Sequence, residues 1–198
     1  VIRAAFALAA LLALPAAAQA ADGTRLGGTL ETAFRACALQ VSSSLKPGGP
    51  LYLGDPAKVA ELKTQGIAAT AALPEAYAIG IASDNYGAPT VATLTSPDAA
   101  LWLVGYGEGP VCKVLIGDTT VAPTARSEFE RRFAATTSWS KDPASRVEGP
   151  LFIQIFTLNA ARPGPHLVVK LEGPGAPFND GRGIQAIMTV ALIKPEAN

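Results

Sequence analysis

The sequence predicts an α+β domain: a mostly antiparallel sheet of about six or seven strands with helices packed on one face. Three observations predict it. The apolar spacing is helical, then alternating, then helical, then alternating again, and this segregation favours α+β over a βαβ repeat. Gly and Pro number 19 and 16 among 198 residues, which favours many turns and short strands over long helices. The alternating stretches are separated by brief runs of turn residues, and short connections join antiparallel neighbours.

Taken in chain order, the first element is not part of the domain. Arg3 is followed by an apolar run from Ala4 to Leu14, then Pro15, then Ala18, Gln19 and Ala20 before Ala21. A basic start, a short apolar stretch and a small-x-small exit form the three parts of a secretory signal. Residues 1–20 are therefore expected to be a cleavable signal peptide, cut after Ala20, with 21–198 as a single globular domain, periplasmic or secreted. The apolar run is shorter than the roughly 20 residues that cross a bilayer. Ala21 is not the Cys that a lipoprotein anchor requires.

Within the domain, Thr29 is expected to cap a helix over 29–45, with Leu30, Phe34, Cys37, Val41 and Leu45 on one stripe. Residues 46–50 (Lys-Pro-Gly-Gly-Pro) stop it. Asp55 and Pro56 open a second, short helix that ends at Gly66. Four strands are expected over 78–83, 90–95, 101–106 and 111–116, separated by turn residues at 84–87, 96–98 and 107–110. A third helix is expected over 125–136 behind Thr124, burying Phe129 and Phe133 and setting Glu128 four residues before Arg132. Three more strands follow at 151–158, 166–172 and 184–193. The second alternates, with Leu167, Val169 and Leu171 on one face and Lys170 and Glu172 on the other. The first and third are apolar on both faces, as central strands are.

Cys37 and Cys112 are the two cysteines of the chain. An even pair in an exported protein reads as a disulfide. Cys37 falls in the apolar stripe of the first helix. Cys112 shares a strand face with Val114 and Ile116 while Lys113 points away. The bond is expected to pin that helix onto the inner face of the sheet.

Composition narrows the function classes. Lys plus Arg equal Asp plus Glu at 16 each, and charged residues make up 16%, against roughly 25% in an average domain. Nucleic-acid binding calls for a basic excess or stripe, and none is visible. One histidine, His166, and two bridged cysteines do not make a zinc site, and Asp84–Asn85 and Asn179–Asp180 are too sparse for calcium. No G-x-S-x-G elbow presents a nucleophile to His166. The Gly-rich stretches lack the strand–loop–helix setting of a phosphate cradle, and no cofactor is expected.

The best binding-loop candidate is 173–183, which is longer than a hairpin needs and offers Phe178, Asp180 and Arg182 together. The third helix carries Arg126, Arg131 and Arg132 with Glu128 and Glu130, either a basic patch or a salt-bridged surface. Trp102 reads as core, and Trp139 as an exposed contact or a lid. The leading functional reading is a non-catalytic envelope protein that binds a small ligand or a protein partner. Two others stand beside it: a hydrolase with sequence-dispersed carboxylates, and a secreted inhibitor or immunity-like protein acting through an exposed loop.

Overall fold

A computed structural model describes residues 21–43, 56–70, 72–106, 110–159 and 165–193. The expected signal peptide and its cleavage after Ala20, the 46–50 stop, the Asp55 cap and the turn at 107–109 lie outside the described residues.

The α+β architecture is as expected. Among the described residues, nine strands form one antiparallel sheet in the order β1-β2-β3-β4-β9-β8-β7, with β5 and β6 both paired to the outer edge of β7. They are β1 (Ile67–Thr70), β2 (Pro89–Leu94), β3 (Ala100–Tyr106), β4 (Val111–Gly117), β5 (Trp139–Lys141), β6 (Arg146–Glu148), β7 (Leu151–Leu158), β8 (His166–Pro174) and β9 (Ile184–Ile193). The helices are α1 (Gly23–Ser43), α2 (Pro56–Lys63), α3 (Glu75–Ala78) and α4 (Ala122–Ala134). β9 is central, as its two apolar faces require, while β7 lies two strands further out beside the divided β5/β6 edge.

The main core follows from strand alternation. One row across the sheet reads Leu103, Val114, Met188, Leu171, and all four are fully buried under α1 and its neighbours. Burying each such side chain contributes about 1.5–3 kcal/mol. The stripe of α1 that meets this row is Leu26, Leu30, Ala33, Cys37 and Val41, at steps of three and four.

Helix α1 starts at Gly23, six residues before the expected Thr29 cap. Asp22 is the true cap: its Oδ1 accepts the Thr24 N–H at 2.9 Å and the Arg25 N–H at 3.3 Å. Gly27 and Gly28 weaken the helical signal in sequence, since glycine costs about 1 kcal/mol in a helix interior. Packing explains Gly27. A Cβ there would stand 2.7 Å from Glu128 Cγ, so the glycine lets α4 approach closely. Likewise α4 begins at Ala122, with Val121 rather than Thr124 at the cap position and Pro123 in its first turn.

The expected strand at 78–83 is helical instead: α3 runs into a 3-10 turn at Ile79–Ile81. Pro74, at φ −58°, sets the chain for helix entry. Tyr77 and Ile81, four apart, both pack on the sheet face opposite α1, against Trp102 and Leu115. That spacing serves a helix and not a strand. The helices thus occupy both faces: α1 and α4 one, α3 part of the other. Strands β1, β5 and β6, of four residues or fewer, have no counterpart among the expected elements.

The β5/β6 edge is interrupted at 142–145. There the Ser145 hydroxyl accepts the Ile155 N–H at 2.9 Å and donates to the Ile155 carbonyl at 3.1 Å, replacing ladder bonds with a side chain. Trp139 is a lid, edge-on to Phe133 and Phe34 with ring centres 4.9 and 5.5 Å apart.

The disulfide joins Cys37 of α1 to Cys112 of β4, with Cα atoms 5.3 Å apart. Its partners on the sheet are Gly105 in β3 and Val190 in β9, so the bond lands mid-sheet. Replacing both cysteines by alanine should destabilise the fold by about 4 kcal/mol, from the chain entropy released over a loop of that length. The measure is the urea midpoint of oxidised protein against the variant, and a loss below about 1 kcal/mol would count against a stabilising crosslink.

Candidate functional site

The loop between β8 and β9 is held in a demanding backbone conformation. Asn179, Asp180, Gly181 and Gly183 have φ of 49°, 53°, 83° and 69°. Left-handed backbone at Asn and Asp is tolerated where side chains and neighbours fix it. Here Gln185, buried at the start of β9, does the fixing. Its Oε1 accepts the Phe178 N–H at 2.8 Å, and its Nε2 donates to the carbonyls of Phe178 at 2.9 Å and Arg182 at 2.8 Å. From the turn after β4, Asp118 Oδ1 accepts the Gly183 N–H at 2.8 Å, and its Oδ2 accepts the Tyr77 hydroxyl at 2.7 Å. The loop is therefore braced from two strands and from α3. Burial and the Asp118 carboxylate together push the Tyr77 phenol well above its ordinary range.

Of the three loop residues singled out in sequence, the structure brings two together. Asp180 and Arg182 line a polar cavity of about 400 Å³ with Ala21, Asp98, Asp118 and Thr119. Neither side chain has a hydrogen-bond or ion-pair partner among the described residues, so both are available to a ligand. Phe178 is not part of that lining and stands 65% exposed.

Two other carboxylates of this cavity, Asp98 and Asp118, carry structural duties. Asp98, whose side chain is fully buried, meets the Arg25 guanidinium through Nε at 2.6 Å and a terminal nitrogen at 2.5 Å, and accepts the Asp22 N–H at 2.9 Å. The Arg25 hydrogen bond, opposed by burial, holds Asp98 below the usual carboxylate range. The same bond raises Arg25. Asp98 read in sequence only as part of a Ser-Pro-Asp turn. Its partner lies 73 positions away, and nothing local signals it.

On the face opposite α1, Lys113 Nζ meets Asp84 Oδ1 at 2.5 Å and the Gly80 carbonyl at 3.2 Å, and the Tyr106 hydroxyl donates to Asp84. The Asp84 and Lys113 side chains are 8% and 15% exposed. This pair fixes the segment after α3 to β4, and burial with Asp84 raises the Tyr106 phenol.

Beyond α3 that face carries an apolar surface. The register aligns Ile153 with Glu172 and Ile187, Ile155 with Lys170 and Thr189, Thr157 with Val168 and Ala191, and His166 with Ile193. These side chains are half-buried, and Ile193 is 51% exposed. A shallow groove of about 310 Å³ runs over Ile155, Val168, Ala191 and Ile193. A second, of about 240 Å³, lies over Leu151, Ile153, Ile184 and Ile187 at the stems of the braced loop.

His166 opens β8, and its Nδ1 has no hydrogen-bond partner among the described residues. Among those residues no group of three or more His, Cys, Asp or Glu is placed to hold a metal ion, and no helix is long and apolar enough to cross a membrane. Comparison with protein-family models, with curated proteins and with solved structures found no match.

Two outcomes are expected. Gln185→Leu should free the loop, raising amide hydrogen exchange at 178–183 by 10-fold or more while β4 and β9 stay protected; unchanged exchange would show that Gln185 is not the brace. A depressed carboxyl contributes stability above its unfolded value near pH 4 and loses it as pH falls through the folded value. Asp98→Asn should therefore lower the melting temperature at pH 7 by about 3–8 °C and reduce the loss of stability between pH 5 and pH 2. The remaining acid sensitivity should come from Glu31, lowered by Arg35 and Arg132, and Glu128, lowered to about 2 by Arg131 and Arg132.

Proposed function

We propose that the protein is exported and acts by binding a partner protein, without chemistry of its own, through the apolar face of β7, β8 and β9. The observation that carries this is the unequal covering of the sheet. α1 and α4 shield one face and α3 shields part of the other. Ile153, Ile155, Val168, Ala191 and Ile193 belong to neither core cluster, and Ile187 packs only against the margin of the one under α3. Apolar side chains left half-buried together on one sheet face mark interaction sites.

The shape argues for a protein rather than a small molecule. Small ligands sit in concavities that bury most of their surface, whereas these grooves are floored by one sheet face, the larger flanked on one side by Asp142 and Ala144. The Lys170–Glu172 pair, 2.8 Å apart in the middle of the patch, supplies a polar contact among apolar ones. Export is supported by the Cys37–Cys112 bond, since such crosslinks persist in oxidising compartments. A hydrolase reading would call for a carboxyl held protonated as general acid, and Asp98 is held ionised. The inhibitor-like reading draws on a specific observation, the exposed Phe178 ring on a braced loop, because rigid aromatic anchors dominate interface energies.

A photo-crosslinking side chain at position 155, in the protein purified from its own envelope, should give one discrete adduct. The purified partner identified from it should bind at least 10-fold more weakly to Ile155→Lys and be little affected by Leu39→Lys on the far side. Binding that survives Ile155→Lys but is lost with Phe178→Ala would transfer the function to the loop. An adduct that is a second copy of this chain would replace the partner with self-association. Export has its own readout: an intact mass beginning at Ala21, where a mass retaining residues 1–20 would overturn it.

A further inference from the structure

The arginines of α4 have different fates. Arg131 pairs with Glu128 at 2.7 Å, and Arg132 with Glu128 and Glu31, each at 2.9 Å. Arg126 has no acidic partner among the described residues. Its guanidinium lies over the Phe152 ring, 3.9 Å from the ring centre. Its Nε is buried without a hydrogen bond, which leaves the terminal nitrogens as the part open to solvent. Stacking on an aromatic face holds the planar group in place and leaves its edge free for an anion.

That edge borders a polar cavity of about 270 Å³ at the interrupted β5/β6 edge, also lined by Lys141, Arg146, Val147 and Ile153. Lys141 is paired with Glu130 at 2.5 Å, and Arg146 with Glu148 at 3.1 Å. Two of the three lining cations are neutralised by these pairs, so the cavity has a surplus of one positive charge, and the surplus belongs to Arg126. A single, planar, bidentate anion matches a guanidinium edge and this charge better than a dianion does. The aliphatic side chain of Val147 (77% exposed), the register partner of Phe152, gives an apolar body something to lie against.

From this geometry we infer that the cavity is a binding site for an organic monocarboxylate with an apolar body, with Arg126 as its anchor. The site shares Ile153 with the edge of the β7–β9 face proposed above, but it rests on Arg126 and does not depend on that face. Benzoate is a suitable probe and inorganic phosphate the control. In ¹⁵N-labelled full-length protein, benzoate should produce a saturable shift of the Arg126 Nε–Hε resonance with a Kd near or below about 1 mM. Arg126→Gln should weaken benzoate binding at least 10-fold, read from the backbone amides of 145–147. Arg126→Lys, which keeps the charge without the stacked fork, should fall in between. Arg146→Gln, on an exposed strand, should weaken it a few-fold and keeps the test decisive should the Arg126 variants fail to fold. The proposal is overturned by non-saturable shifts, by undiminished binding in Arg126→Gln or in Arg146→Gln, or by phosphate binding as tightly as benzoate.

Discussion

Helix α1 lies across the middle of one face of the sheet, over β3, β4 and β9, and two long-range bonds decide how it lies there. Cys112, the second residue of β4, holds the C-terminal third of the helix through Cys37. Asp98, just before β3, fixes its first turn through Arg25 and the Asp22 N–H. With two points anchored, the helix axis has little freedom over the strands. The rest of that layer is then set by contact. Gly23 and Gly27 admit α4, and Phe34 packs edge-on against Phe129 and Phe133. Trp139 closes the end of the aromatic cluster. The Glu31–Arg132 and Glu128–Arg132 pairs trim its solvent side, where half-exposed ion pairs contribute modestly.

The opposite face is organised by polar bonds. Tyr77 to Asp118, and Lys113 to Asp84 with Tyr106, tie α3 and the segment after it to the turn following β4 and to β4 itself. Breaking one member of such a buried pair is costly, because the other is left without its counter-charge. Asp118 extends this tether to the β8–β9 loop through Gly183. The strained loop backbone is thus supported by the same residue that anchors α3. The half of the face that lacks such a cover is the half with isoleucines and valines facing outward.

Strand alternation and turn residues made β2, β3, β4, β7, β8 and β9 legible in the sequence, and the inward phase of Cys37 and Cys112 made their pairing legible too. These features are local or follow from a period. The start of α1 was hidden because Gly27 and Gly28 argue against a helix until α4 is seen beside them. The segment 78–83 misled because Ala78, Ile79, Gly80 and Ile81 carry no strong local preference, and the choice is made by Tyr77 and Ile81 finding Trp102 and Leu115. β5 and β6 are too short to show a period and exist as strands because β7 offers an edge. Of the candidate site, Asp180 and Arg182 were legible as loop residues with functional chemistry. Asp98, Asp118 and Gln185 were not, since their partners come from other strands or from backbone groups with no sequence signature.

The span enclosed by the Cys37–Cys112 bond has a topological consequence. It contains α2, β1, α3, β2 and β3, together with the stretch 44–55. A protease that cuts one peptide bond anywhere in that ring produces two polypeptides that remain a single molecule, since each still holds one of the bonded cysteines. The sheet neighbours β3 and β4 stay tethered through α1, and the nicked chain can close again without a search through solution. Outside the ring there is no such insurance, and a cut after Gly117 would leave α4 and the strands from β5 to β9 attached by packing alone.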